Sequence, residues 1–333
     1  MKLHTLVAGA ALVVASFGAF AQTAAAPIVI KFSHVVAADT PKGKGAERFK
    51  QLAEERTKGR VKVEVYANSV LYKDKEEMEA LQLGAVQMLA PSLAKFGPLG
   101  VKEFEVFDLP YIFPDKAALQ RVEEGPVGKA LFKKLEPKGI VGLAYWDNGF
   151  KVMSANKQLR MPDDFKGLKM RIQSSKVLES QMRALNALPQ QMAFSEVYQA
   201  LQTGVVDGTE NPPSNLYTQK MNEVQKFVAI SNHGYLGYAV ISNKKFWDGL
   251  PADIRSELES ALKDATKYAN DIAQKENDDA LAAVKATGKT QVYNLTAAET
   301  DAWKKALMPV QEEMKSRIGK DTVELVQKEA LGK

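Results

Sequence analysis

The chain contains no cysteine at all and only three histidines, His4, His34 and His233, in 333 residues. Without thiols there is no disulfide framework, no thiolate metal site and no cysteine nucleophile. So few histidines leave no H-E-x-x-H pair for a metal, and no calcium-loop spacing of carboxylates is present. Phosphate-cradling glycine patterns are missing too: "PKGKGAERF" fits neither G-x-x-x-x-G-K-[ST] nor G-x-G-x-x-G. There is no G-x-S-x-G elbow. The formal charge of +5 is spread through mixed-sign stretches such as "KDKEEMEAL", with no dense basic block carrying aromatics. Nucleic acid is therefore not an expected partner and no cofactor is expected, while a metal held through carboxylates stays open.

Long apolar runs are also lacking after the N-terminus. The first segment, "MKLHTLVAGAALVVASFGAFAQT", places Lys2 before an apolar stretch and an A-x-A pattern at Ala19-Phe20-Ala21. Charged start, apolar middle and small-residue end describe a secretory signal over residues 1–21, cleaved near Ala21. The stretch is shorter than the ~20 residues a spanning helix needs, so export to the periplasm is expected rather than anchoring.

What is present is a strand–helix rhythm. "IVIKFSHV" alternates apolar and polar residues, "PKGKGAERFKQLAEERTKG" has helical spacing after Thr40, and "RVKVEVYA" alternates again. Asp74 with Glu77 reads as a helix N-cap box, and Thr296 with Glu299 as another. The rhythm predicts an α/β fold with parallel pairing, and the length predicts two domains at ~100–200 residues each. One helix is expected from Pro251 to about Lys285, long enough to brace two lobes, and another over about Lys116–Leu135. The aromatic-rich "FEVFDLPYIF" is too marked by proline for a central strand and reads as buried core.

Candidate site residues follow from placement. Arg171 sits in "GLKMRIQS" between Met170 and Ile172, so strand alternation puts it on the face opposite to both. A guanidinium there needs a planar partner, which is either an internal carboxylate or a ligand carboxylate. Lys151 is either a surface lysine or a second positive charge. His34 and Lys42 fall at the junction of first strand and first helix, and Ser92 at the end of the third strand, where α/β sheets collect ligands. Phe194, before a helix start, is core or pocket wall. In "VVDGTENPP", Asp207 and Glu210 pose as an acid/base pair or as structural partners, while the two prolines stiffen the backbone around Asn211.

Five stretches together carry a family resemblance: "KFSHVVAADTPKGKGAERF", "DNGFKVMSANK", "FKGLKMRIQSS", "MAFSEVYQALQTGVVDGTENPP" and "EVQKFVAISNH". In order and spacing the chain resembles the extracytoplasmic solute-binding subunits of TRAP transporters, DctP type. The resemblance implies a two-lobed, type II-like periplasmic-binding-protein fold with strands crossing between the lobes and a long bracing helix. The lobes would comprise residues 27–148 plus 237–275, and 149–236 plus 276–333. It implies capture of an organic acid anion for a membrane permease, by a protein that is not an enzyme and does not itself span the membrane. Arg171 matches the arginine that pairs with the ligand carboxylate, and Asn211 the asparagine beside it. Lys151 stands where many members carry a second arginine. Pro91 replaces the glutamate of the sialic-acid branch. The opening "FSHVVAADTPKG" is most similar to binders of four-carbon dicarboxylates such as malate, succinate and fumarate, which makes His34, Lys42 and Ser92 candidates for the distal carboxylate. Two alternatives remain at this point: another organic acid on the same fold, such as a 2-oxo or aromatic acid, and a secreted enzyme using Asp207 and Glu210.

Overall fold

A computed structural model describes residues 26–332. The signal segment and its cleavage near Ala21 lie outside the described residues. The chain lays down β1 (Ile28–Ser33), β2 (Val61–Tyr66), β3 (Met88–Leu89) and β4 (Ile140–Phe150) first. Next come β5 (Val152–Ala155), β6 (Lys169–Ile172), β7 (Leu188–Gln191), β8 (Gly208–Asn211) and β9 (Phe227–Ile230). β10 (Tyr235–Asn243) and β11 (Gln291–Asn294) complete two sheets, ordered β2-β1-β3-β10-β4 and β11-β9-β5-β8-β6-β7. Helices flank both, so the α/β expectation holds.

Parallel pairing unites β1 with β2 and β3 in the first sheet, and β6 with β7 and β8 in the second. The antiparallel members, β4 and β10 in one sheet and β5 in the other, are the strands by which the chain changes lobe. Lys151 alone joins β4 to β5, and residues 231–234 join β9 to β10. Both crossings are short, and no floppy tether connects the lobes.

The helix α1 (Pro41–Arg56) starts as its residues dictate. Thr40 accepts a hydrogen bond from the Gly43 N–H, and Pro41 sits where its missing N–H costs nothing. The 35-residue helix Ala252–Ala286 buries Ile254, Leu258, Ala261, Ala265, Ala269 and Ala273 along one stripe. Small residues let it press on α1: a side chain at Gly45 would meet the Ala269 Cβ at 2.9 Å. Its far half reaches the second lobe, where Asn277 Oδ1 accepts from the Ser214 N–H at 2.9 Å. It is the brace that the sequence predicts.

Three expectations need correction. The helix over Lys116–Leu135 is two helices, Lys116–Glu124 and Pro126–Lys133, because Pro126 cannot donate to the preceding turn. The helix α2 (Asp74–Gln82) takes Lys73, not Asp74, as its N-cap, and the Asp74 carboxylate points elsewhere. The last two helices, Pro309–Ile318 and Lys320–Ala330, return to the first lobe instead of staying with residues 276–333. Their Val310, Met314, Val323 and Val326 share one core with Phe104 and Phe107 of "FEVFDLPYIF". Arg317 fastens them through the buried Glu105. The aromatic segment, a 3-10 turn over Lys102–Asp108, supplies the apolar floor that these helices cover.

Candidate functional site: a charged cavity between the lobes

The end of β1 and the start of α1 bring two polar side chains to the cleft, Lys42 into its wall and His34 behind it. Lys42 is 1% exposed, donates to the Ala90 carbonyl at 2.9 Å and stands 3.7 Å over the Tyr238 ring. Burial pulls its pKa down to about 7, and Lys95 nearby pushes the same way against the fields of Glu77 and Asp74. His34, one residue past β1, is fully buried with neither ring nitrogen hydrogen-bonded. Burial and then the Lys42 charge hold it neutral, with a pKa lowered to about 3. His34 stands behind the cavity and does not line it.

From the second lobe, β6 delivers Arg171 as alternation requires: Met170 and Ile172 enter a hydrophobic core while Arg171 faces the cleft. The Met192 carbonyl accepts from Arg171 Nε at 3.1 Å and from Nη2 at 2.9 Å. Nη1 is buried without a partner. The guanidinium carbon lies 5.7 Å over the Phe194 ring, so Phe194 is both core and cavity wall. No carboxylate comes within 4 Å of Arg171 among the described residues, so the internal-salt-bridge alternative is not realised. Asn211 ends β8, lines the cavity, and donates to Thr209 Oγ1 at 3.3 Å. Ser92 reaches across the cleft and donates to the Gln173 side-chain carbonyl.

Lys151 behaves differently. Its ammonium lies 2.8 Å from Glu210 Oε1, while Glu210 Oε2 lies 2.8 Å from His233 Nε2. The second His233 nitrogen meets Ser231 Oγ at 2.8 Å. Neither Lys151 nor Glu210 lines the cavity, because alternation along β8 turns Glu210 away from the face that Asn211 presents. Burial alone would raise the Glu210 pKa, but Lys151 and His233 outweigh it and hold the carboxyl at about 2. Lys151 as a direct ligand contact is thus corrected: it is the single residue between β4 and β5, bound into a buried charge network at that crossing. Asp207 is also spoken for, since it accepts from the Lys169 N–H at 2.7 Å. Neither acid is placed for acid/base work on a cavity occupant.

The cavity is small and lies between the two lobes. Besides the residues legible in the sequence it is lined by Asp74, Lys95, Gln173, Asn215 and Tyr238. Asp74 Oδ2 accepts from the Phe194 N–H at 2.6 Å, and Oδ1 pairs with Lys95 at 2.7 Å. Lys95 also binds the buried Glu77 at 2.6 Å. Burial of Asp74 is overcome by Lys95 and Arg171, which keep its carboxyl well below the usual carboxylate range. The Tyr238 hydroxyl accepts from Asn148 at 2.9 Å and from Asn215 at 3.1 Å. Only the acidic start of α2 hints at Asp74 from sequence, and the same acids serve equally well as dipole partners.

Four lysine or arginine side chains are buried among the described residues: Lys42, Lys95, Lys151 and Arg171. Lys95 and Lys151 have carboxylate partners. Lys42 and Arg171, one from each lobe, have only carbonyls. Two basic groups without a carboxylate in direct contact therefore face one small cavity, which is costly unless an anion completes them. No group of side chains among the described residues is arranged to hold a metal ion.

Comparison with known proteins gives a consistent result. The family model described as "Bacterial extracellular solute-binding protein, family 7" (DctP) matches residues 32–317. A curated relative from Rhodobacter capsulatus, the C4-dicarboxylate-binding periplasmic protein DctP, is 70% identical over 302 residues, 91% of each chain. A C4-dicarboxylate-binding protein of Bacillus subtilis, DctB, is 42% identical, covering 89% of this chain and 85% of its own. Among solved structures, a TRAP periplasmic solute binding protein from Sulfurospirillum deleyianum with bound succinate superposes with TM-score 0.88 at 47% identity, covering 91% of this chain and 99% of that one. A Pseudomonas aeruginosa counterpart with bound L-malate gives TM-score 0.84 at 47% identity, covering 86% and 100%.

Proposed function

Because the chain belongs to the bacterial extracellular solute-binding proteins of family 7, the DctP family, we propose that it captures four-carbon dicarboxylates in the periplasm for a TRAP permease. It is a transport subunit and not an enzyme, as its relatives are named solute-binding proteins. The observation that carries the dicarboxylate reading is the pair of buried cations without carboxylate partners, Lys42 and Arg171, on opposite lobes of one cavity. Bound succinate and malate in the structural relatives supply the same chemistry.

In this reading Arg171 takes one ligand carboxylate through its free Nη1, with Asn211 beside it. The Met192 carbonyl and the Phe194 ring hold the guanidinium in place beforehand, so little side-chain freedom is lost on binding. Lys42 receives the distal carboxylate, and Ser92 orders the wall between the two ends. His34 contributes from behind as a neutral neighbour of Lys42 and not as a contact. Closure about the β4–β5 and β9–β10 crossings brings the two cations to one ligand and excludes water, which strengthens each charge-assisted hydrogen bond. A permease that recognises the closed shape then receives only loaded protein. The leading segment 1–21 directs export and is removed near Ala21.

Calorimetry with succinate, malate and fumarate against acetate and lactate tests this function. The four-carbon diacids are expected to bind at least a hundredfold more tightly than the monoacids. Equal affinity for both classes overturns the two-cation reading.

A further inference from the structure

The inner cavity is not the whole of the cleft. A wider groove opens from the same cleft to solvent. Asp74, Lys95, Arg171 and Gln173 line both, so these four side chains form the wall between them. Within that wall, Asp74 alone bonds the backbone of the opposite lobe: its Oδ2 accepts from the Phe194 N–H at 2.6 Å. Asp74 begins α2 of the first lobe, and Phe194 belongs to the core of the second. The bond therefore exists only when the lobes are closed. Farther out, Lys73 and Glu196 meet at 2.7 Å and close the same line at the surface.

We propose that Asp74 is a partition residue: bonded to Phe194 across the closed cleft, it walls the inner cavity off from the outer groove and sets the greatest length of diacid the protein holds. The proposal rests on the dicarboxylate reading above. Its physical logic is steric. Lys95 at 2.7 Å compensates the Asp74 charge, so the carboxylate is stable beside an anionic ligand. A diacid one or two methylenes longer, with one carboxylate held by Lys42, must push its other end past Arg171 into the wall, breaking the Phe194 contact and preventing closure. A pocket of fixed shape discriminates one methylene by about 10–200-fold.

The test is a calorimetric series of succinate, glutarate and adipate on wild type and on Asp74→Ala, Asp74→Ser and Asp74→Asn. Wild type is expected to prefer succinate over glutarate by at least about tenfold. Either truncation, to alanine or serine, opens the wall and narrows that preference at least tenfold, by losing succinate affinity while sparing the longer acids. Asparagine keeps the size and the acceptor for the Phe194 N–H but gives up the Lys95 pair, so affinity for all three acids falls together while the preference stays within about threefold of wild type. Proportional loss for all three acids in both truncations overturns the partition, as does no change, or an asparagine variant that narrows the preference as the truncations do. Wild type that binds no dicarboxylate overturns the ligand reading itself, an outcome distinguishable from these because it needs no variant.

Discussion

Two sets of buried charge lie where the two lobes meet and differ in one respect. At the strand crossings, Lys151, Glu210 and His233 satisfy one another, with both Glu210 oxygens and the ammonium engaged at 2.8 Å. In the cavity, Lys42 and Arg171 hold carbonyls and leave a buried Nη1 unpaired. Burying charge is tolerable when it is paired and hydrogen-bonded. The first set meets that condition from within and joins both chain crossings through one carboxylate. The cavity set meets it only with an occupant. On the proposed reading the first belongs to the frame and the second to recognition, and each can be broken separately.

The largest effect is expected at Glu210. Glu210→Gln leaves the Lys151 ammonium buried without its counter-ion, and breaking a buried pair from one side costs about 3–5 kcal/mol of stability. Chemical denaturation measures this, and an unchanged midpoint means that the charges at the crossings are not part of the frame. Arg171→Ala has the opposite profile. The fold is expected to persist, since an unpartnered N–H is removed, while succinate binding falls by about a hundred- to several-thousand-fold, or roughly 3–5 kcal/mol. Calorimetry showing unaltered succinate affinity ends the clamp.

The distal cation gives a smaller and more selective change. Lys42→Met keeps the buried stem and removes the charge, so the four-carbon diacids are expected to weaken by about 10- to 100-fold, the worth of one charged hydrogen bond. A monoacid bound weakly through Arg171 is expected to change by less than about threefold. Equal losses for both classes place Lys42 outside the recognition of the second carboxylate.

How much of this was legible in the sequence depends on how local the cause is. Arg171 and Asn211 were readable because strand alternation and proline stiffening fix their direction from immediate neighbours. The long brace declared itself by one buried stripe from Ile254 to Val284. Lys151 was misplaced because its fate is set by Glu210, 59 residues away, and charge type alone does not choose between a ligand and an internal partner. Asp74 was misread as a cap for the same reason: its partners, Lys95 and the Phe194 N–H, come from distant segments. The last two helices were assigned to the wrong lobe because amphipathic helices reveal that they pack, not against what.

Acidity separates the two charge sets once more, by a smaller effect. Glu210 titrates at about 2 in the folded chain, below the ordinary value of 4.5. Between those values the unfolded chain binds more protons than the folded one, so stability rises with pH there. The contribution of Glu210 is complete above 4.5 and is lost as pH falls toward 2. The stability gap between wild type and Glu210→Gln is therefore expected to be constant from pH 7 to about 5 and to shrink below 4.5. His34, lowered from 6.5 to about 3 by burial and Lys42, destabilises the fold over a window that overlaps this one. It is present in both proteins and cancels in the difference. Urea titrations at half-unit pH steps read the gap directly. A gap that instead closes between pH 7 and 5 assigns the acid-sensitive difference to a group other than the Glu210 carboxylate.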